Sequence, residues 1–232
     1  VPAPPAPPLD DEPRAARWAR RAVTLPGYAL LFGAWLATVP LTLPLALLVD
    51  LALRRRLATT RFVLALGLLL AGEQAGLLAA LALWVARPTT DPDGDLRRNS
   101  RLQAAWVRAL FAGAAWLYRL RLELARADAL VAPGPLVVLV RHASLVDTLL
   151  PVVLLARAGR RPRYVLKREL LWDPCLDVVG NRLPNVFVRR GEGAAEALRV
   201  GALARGLAPD EAVVIFPEGT RFTARRRARA LA

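Results

Sequence analysis

The chain holds a single histidine, and it stands where an imidazole is useful. His142 comes just after the continuous apolar run Leu136 to Val140 (L-V-V-L-V), and Asp147 follows five residues later in H-A-S-L-V-D. An imidazole titrating near about pH 6.5 takes a proton from a hydroxyl, and a carboxylate beside it fixes the tautomer and stabilises the imidazolium. On one unbroken helix a five-residue offset turns the two side chains about 140° apart. They face each other only if His142 occupies the turn after the strand and Asp147 the first turn of a helix, which Ser144 is suited to cap. A lone histidine is more often structural than catalytic. Its uniqueness and its place at a strand end argue here for chemistry.

A second cluster, F-P-E-G-T-R at Phe216 to Arg221, ends another apolar run, Ala212 to Phe216. Pro217 and Gly219 favour a tight turn. Such a turn would aim Glu218, the Thr220 hydroxyl, backbone N–H groups and Arg221 into one crevice. The planar guanidinium of Arg221 suits a phosphate, which it grips with two parallel hydrogen bonds.

Elements of alternating type must hold these two clusters. Besides Leu136 to Val140 and Ala212 to Phe216, short strands are expected at Arg163 to Leu166 and Asn185 to Val188. Helices are expected at Leu149 to Ala158, near Trp172 to Val179 and at Ala194 to Leu207. Strands alternating with helices predict an α/β fold, a mixed, largely parallel sheet flanked by helices. The run L-V-V-L-V reads as a strand buried on both faces. Ligands of such sheets bind beyond the carboxyl ends of the strands, which is where His142 and the F-P-E-G-T-R turn fall.

The region before the α/β pattern is of another kind. Residues 1–21 form a leader, proline-rich as far as Pro13 and then carrying Arg14, Arg17, Arg20 and Arg21 at helical spacing around Trp18. Both residue types anchor well at a membrane surface. Ala22 to Val49 is 28 residues without a charge, longer than the roughly 20 helical residues that cross a hydrocarbon core. Pro40 and Pro44 are expected to break or kink it. After Arg54, Arg55, Arg56 and Arg61 comes a second apolar run, Phe62 to Ala86, interrupted only by Glu73 and Gln74. A central acid costs roughly 3 kcal/mol on insertion scales, and nine leucines at about −0.5 kcal/mol each offset it. Residues 22–86 are therefore expected to form a membrane-embedded helical hairpin, with Glu73 pairing with the other helix or reaching water. Basic residues flank both ends, so a hairpin dipping into one leaflet and two full spans both remain open.

Residues 87–100 read as a turn-rich linker, whose Asp91, Asp93 and Asp95 lack the later bidentate Glu of an EF-hand. Residues 101–123 read as an amphipathic helix, interfacial or packed on the globular domain, and residues 124–232 as the α/β domain. From the absent initiator Met and the end at Leu231-Ala232, a processed or truncated chain is expected.

Composition agrees with a membrane chain. Apolar residues make up 55%, above the roughly 45–50% of soluble proteins, which excludes disorder. One Cys and one His exclude a disulfide scaffold and a Cys/His zinc cluster. Of 33 basic residues only Lys167 is a lysine, and the net charge is +14. Anionic substrates and a phospholipid surface suit that charge, juxtamembrane arginines contributing about 1 kcal/mol each near acidic lipid.

H-x-x-x-x-D followed some seventy residues on by F-P-E-G-T-R resembles the glycerolipid acyltransferases, the lysophosphatidic acid (1-acylglycerol-3-phosphate) acyltransferase family. The likeness covers roughly Leu124 to Thr223, and the apolar N-terminal pair resembles the family's membrane-embedding helices. It implies that His142 is the general base and Asp147 its partner. Phe187-Val188-Arg189-Arg190 corresponds to the family's phosphate-binding middle motif, with Arg190 as the acceptor ligand. Glu218, Gly219, Thr220 and Arg221 would line the acceptor pocket, with Arg141 and Ser144 beside the base, and Lys167 resembles a basic pocket residue of the lysocardiolipin-acyltransferase-like branch. Arg141 stands where an Asn often precedes the His, Pro184 replaces a usual Gly, and the family's fourth motif is absent.

The implied reaction moves a fatty acyl group from acyl-CoA or acyl-carrier protein to the free hydroxyl of a lysophospholipid, lysophosphatidic acid foremost. No metal and no bound cofactor is required. Backbone N–H groups near the His turn are the expected oxyanion site. Ser144 and Cys175 need not be nucleophiles, and Cys175 reads as a packed small hydrophobe. Membrane lipids are the expected partner, nucleic acid is not, and the expected location is a bacterial inner membrane with the site facing the cytoplasm. The competing reading is a membrane-anchored basic module that binds nucleic acid or acidic partners without catalysis, permitted by the arginine-rich segment Arg225 to Arg229 but lacking interleaved aromatics. A Ser144 lipid hydrolase ranks last, since no G-x-S-x-G elbow is present.

Overall fold

A computed structural model describes residues 12–86, 91–125, 127–141, 148–189 and 193–217. The chain divides into two compact units, one made of Glu12–Glu123 with Trp172–Val179, the other of Leu124–Leu171 with the described residues from Gly180 onward.

The first unit is helical. Helix α1 (Arg14–Ala52) and helix α2 (Ala58–Val85) are each long and apolar enough to cross a membrane. Of the break or kink expected at Pro40 and Pro44 the break does not occur: α1 continues through Pro26, Pro40 and Pro44. All three prolines lie on its exposed side, where a missing N–H and a ring displace no packed neighbour, and the remaining turns keep their bonds. The less exposed side recurs every three or four residues through Tyr28, Phe32, Trp35, Val39, Leu43 and Ala46, the spacing of a helix seam.

Glycines let the helices approach. A Cβ on Gly67 of α2 would collide with the indole of Trp35, whose Nε1 donates to the Val63 carbonyl at 3.2 Å. The α1–α2 turn is locked by Asp50, which the sequence reading passed over. Its buried carboxylate accepts the backbone N–H groups of Thr59 at 3.0 Å and Thr60 at 2.7 Å, capping α2.

Helix α3 (Pro92–Tyr118) begins earlier than the linker reading allowed. Asp91 accepts the Gly94 N–H at 2.8 Å, Pro92 opens the helix, and Asp93 and Asp95 lie at its positive end. Within its unit α3 lies on α2. Trp106 Nε1 donates to the Gly72 carbonyl at 2.9 Å, and a Cβ on Gly72 would lie 2.6 Å from Leu110.

Helix α5 (Pro174–Val178) completes this unit although its sequence lies among the strands. Its Asp177 is fully buried and accepts from Arg20 at 2.8 Å and Arg21 at 2.9 Å, while Arg20 also pairs with Glu12. Two of the arginines read as lipid anchors are thus engaged within the protein. Glu73, fully buried, accepts the Cys175 N–H at 3.0 Å. The partner shown for it is this short segment and not α1. Burial pushes the Cys175 thiol well above its usual range, consistent with a packed, unreactive side chain.

The second unit is α/β, as expected. Strands β1 (Leu136–Leu139), β2 (Arg161–Lys167), β3 (Val186–Val188) and β4 (Glu211–Ile215) form a sheet in the order β1-β4-β2-β3. All three pairings are parallel. Helix α4 (Leu150–Arg157) leads from β1 towards β2, and α6 (Gly193–Ala204) from β3 to β4. Val186, Leu203 and Val213 centre the core, with Val165, Val188, Leu207 and Ile215 around them. The strand buried throughout is β4 rather than β1. In β1, an edge strand, Val137 at 62% and Leu139 at 67% exposure share one face of the sheet.

Candidate active site

In a sheet whose strands all run parallel, the four carboxyl ends share one edge. Leu139 lies in register with Ile215, and the Val140 N–H donates to the Ile215 carbonyl at 2.9 Å, so the ends of β1 and β4 are bonded neighbours. Lys167 lies in register with Val188, which aligns the ends of β2 and β3 in the same way. His142 follows the last residue of β1 by three positions and Glu218 follows that of β4 by three. Lys167 itself ends β2, and Arg190 comes two residues after β3. The two motifs thus leave from adjacent strands, although some seventy residues separate them in the chain.

Two of the expected site residues are described. Arg141, exposed, follows β1, and Lys167, half-buried, closes β2. The strands that bear them flank β4, so their ends are about 10 Å apart at ordinary strand spacing. His142, Ser144, Asp147, Arg190, Glu218, Gly219, Thr220 and Arg221 lie outside the described residues.

Residues that the sequence reading did not single out hold the carboxyl edge. Glu196, buried on α6, accepts the Arg189 N–H at 3.0 Å and thereby fixes the exit of β3 immediately before Arg190. Asn185 takes the Tyr164 N–H at 2.8 Å on Oδ1 and donates from Nδ2 to the Gly180 carbonyl at 3.0 Å, tying the entry of β3 to β2. The only advance signal for Glu196 was an acid in the first turn of an expected helix, where it suits the helix dipole. Asn185 offered none, since its partner Tyr164 lies 21 residues away. Among the described residues no group of three or more His, Cys, Asp or Glu is placed to hold a metal ion.

A parallel α/β unit with candidate base, carboxylate and guanidinium residues following its strand ends has the organisation of an enzyme that works at the carboxyl edge of its sheet. Residues 121–230 match the family model described as Acyltransferase. The match supports an acyltransferase domain over this segment, and with it acyl transfer as the class of chemistry. Neither a curated protein nor a solved structure matches the chain.

Proposed function

We propose that the protein is a membrane-bound O-acyltransferase that esterifies the free hydroxyl of a lysophospholipid, lysophosphatidic acid foremost, with an acyl group from acyl-CoA or acyl-carrier protein. The observation that carries this reading is the convergence of sequence motifs on one sheet edge. Residues of the H-x-x-x-x-D segment, the V-L-K segment, the F-V-R-R segment and the F-P-E-G-T-R segment follow or close the ends of β1, β2, β3 and β4 respectively.

In this mechanism the neutral His142 imidazole, oriented by Asp147, accepts the proton of the acceptor hydroxyl as its oxygen bonds to the thioester carbon. Negative charge develops on the carbonyl oxygen, where backbone N–H groups stabilise it. The C–S bond then breaks, and the departing thiolate takes the proton back from the imidazolium. No covalent acyl-enzyme is formed, which leaves Ser144 and Cys175 without a nucleophilic role. Arg190 and Arg221 bind the acceptor phosphate, with Glu218, Gly219 and Thr220 lining the same pocket and Arg141, Ser144 and Lys167 bordering it. Membrane residence at a bacterial inner membrane, with the site facing the cytoplasm, completes the proposal.

The distribution of charge favours this reading over a basic nucleic-acid-binding module. Arg20 and Arg21 are engaged by Asp177, Arg163 by Glu211, and Arg160 by four backbone carbonyls. These four of the 33 basic residues are thereby structural rather than part of a free surface patch.

The test is thiol release from acyl-CoA by the full chain in detergent micelles, with a panel of lysophospholipids. Release that depends on an acceptor, and is fastest with lysophosphatidic acid, is the expected result. Release without any acceptor would point instead to a hydrolase, and absence of release with every acceptor would remove the proposal.

A further inference from the structure

The joint between α2 and α5, inside the helical unit, buries two carboxyl groups that the acyl-transfer reading leaves unused. Glu73 is fully buried. Its Oε2 accepts the Cys175 N–H at 3.0 Å, and the Cys175 thiol donates to the Glu73 backbone carbonyl at 3.4 Å. Its other oxygen, Oε1, is buried without a hydrogen-bond donor among the described residues. Asp173 caps α5, taking the Leu176 N–H on Oδ1 at 2.9 Å, and its carboxyl lies within hydrogen-bonding reach of that of Glu73.

The groups that face this pair are neutral or acidic. From α1, the phenol of Tyr28 lies within the field of both carboxyls. From α3, the Trp106 indole packs beside Gly76, where the Cys175 thiol also sits. Arg20 and Arg21, which reach α5 from α1, are engaged by Asp177. Two carboxylates this close and away from water do not both ionise readily, and a single proton between them turns repulsion into a hydrogen bond. That proton also supplies the donor that Oε1 otherwise lacks. Burial pushes the Asp173 carboxyl above the usual carboxylate range, although the Leu176 N–H acts the other way.

The joint is a tight one. A Cβ on Gly76 of α2 would lie 2.5 Å from the Cys175 sulfur. Along the chain, α5 lies between β2, which ends at Lys167, and β3, which leads to Arg190. Any loosening of α5 therefore falls on the connection between two of the candidate site residues.

We propose that Glu73 and Asp173 share one proton, and that this proton is a pH-sensitive latch that holds α5 on α2 and lets it go when both carboxyls ionise in alkali. The inference stands apart from the acyl-transfer reading, and its test needs no activity.

The experiment follows thermal unfolding of the full chain and of Glu73→Gln in detergent micelles, from about pH 5.5 to about pH 9.5. The Gln amide keeps an acceptor for the Cys175 N–H and brings a permanent donor for Asp173, so it imitates the protonated pair. In the unfolded parent, Glu73 gives up its proton near about pH 4.3. A folded state that keeps the proton then binds one more than the unfolded state, so the parent loses stability as pH rises above that value. The loss levels off once the pair has ionised. Glu73→Gln lacks this slope. The expected result is a parent Tm that falls steadily relative to that of Glu73→Gln across the neutral range. A difference that stays constant from about pH 5.5 upward would mean that both carboxyls are already charged, and would overturn the inference.

Release is read on Cys175, the only cysteine, with a neutral maleimide at the alkaline end. In a closed joint a charged Glu73 would hold the thiol protonated and slow its reaction in the parent. Faster labelling of the parent than of Glu73→Gln is therefore the expected sign of opening. An equal or slower rate would remove the latch. Asp173→Asn, which keeps a good cap on α5, gives the same two readings should Glu73→Gln fail to fold.

Discussion

The two ends of the sheet use polar residues in opposite ways. At the amino end, the buried Arg160 guanidinium donates to the carbonyls of Leu130 at 2.6 Å, Gly134 at 2.8 Å and Pro209 at 3.0 Å, and to that of Ala132. One side chain thereby gathers the segments that lead into β1 and β4. Beside it Arg163 pairs with Glu211, which also accepts the Ala208 N–H at 2.9 Å, and Arg161 pairs with Asp210 at 2.8 Å. Arg163 Nε apart, these groups are explained by the backbone or charge they satisfy. At the carboxyl end the chain instead supplies His142, Lys167, Arg190 and Glu218 within three residues of the four strand ends. Buried polar groups must find partners or destabilise the fold. The amino end answers that requirement, while the carboxyl end concentrates the motif residues to which the proposal assigns the chemistry.

Two substitutions put this division at risk. His142→Ala has the largest expected effect, a fall in acyl transfer of about 10²–10⁴-fold, the usual contribution of a positioned general base. The urea unfolding midpoint should not move. Arg160→Met should do the reverse. It leaves four carbonyls without their donor and is expected to destabilise the α/β unit by about 3 kcal/mol, while the folded fraction keeps its specific activity. Parallel urea titration and thiol-release assays on both variants make the comparison. If Arg160→Met silenced the enzyme without shifting the midpoint, the two ends would not differ as described.

How much of this could be read in the sequence depended on how local each cause was. The four strands were placed to within two residues, because each is a short apolar run between turn signals and needs no distant partner to be recognised. The helices between them followed for the same reason. The early start of α3 was also local, written in Asp91-Pro92, yet three aspartates within five residues read more readily as a solvated turn. The unbroken course of α1 was missed because a proline rule calibrated in water was applied to a helix whose prolines lie on its exposed side. Long-range causes were beyond reach. Trp172 to Val179 was read as a helix in the right place along the chain, but nothing in W-D-P-C-L-D signals that Asp177 is held by Arg20 and Arg21, more than 150 residues earlier. Arg160 was one arginine among many, and its four acceptors become visible only once the strands are in order. For the candidate site, the motifs indicated which residues to watch and the parallel register supplied the shared edge.

The smallest effect expected at the amino end comes from its most solvated pair. Arg161 holds the Asp210 carboxyl below the usual carboxylate range through a side-chain hydrogen bond. A carboxylate depressed in the folded state stabilises the fold fully above its unfolded pKa of about 3.9, and that contribution fades as pH falls through the lower folded value. The Asp210 side chain is 50% exposed, so screening keeps the pair below about 1 kcal/mol. For a chain of this size that corresponds to no more than about 2–4 °C in Tm. Thermal unfolding of Asp210→Asn against the parent chain should show that small deficit at pH 7 and its disappearance as the pH is lowered well below 3.9. A deficit that persisted unchanged in acid would mean that Asp210 acts through its backbone turn, where its carbonyl accepts the Arg161 N–H at 2.8 Å, and not through its charge. The amino end of the sheet would then be held by hydrogen bonds to the backbone alone, a stricter form of the contrast with the carboxyl edge.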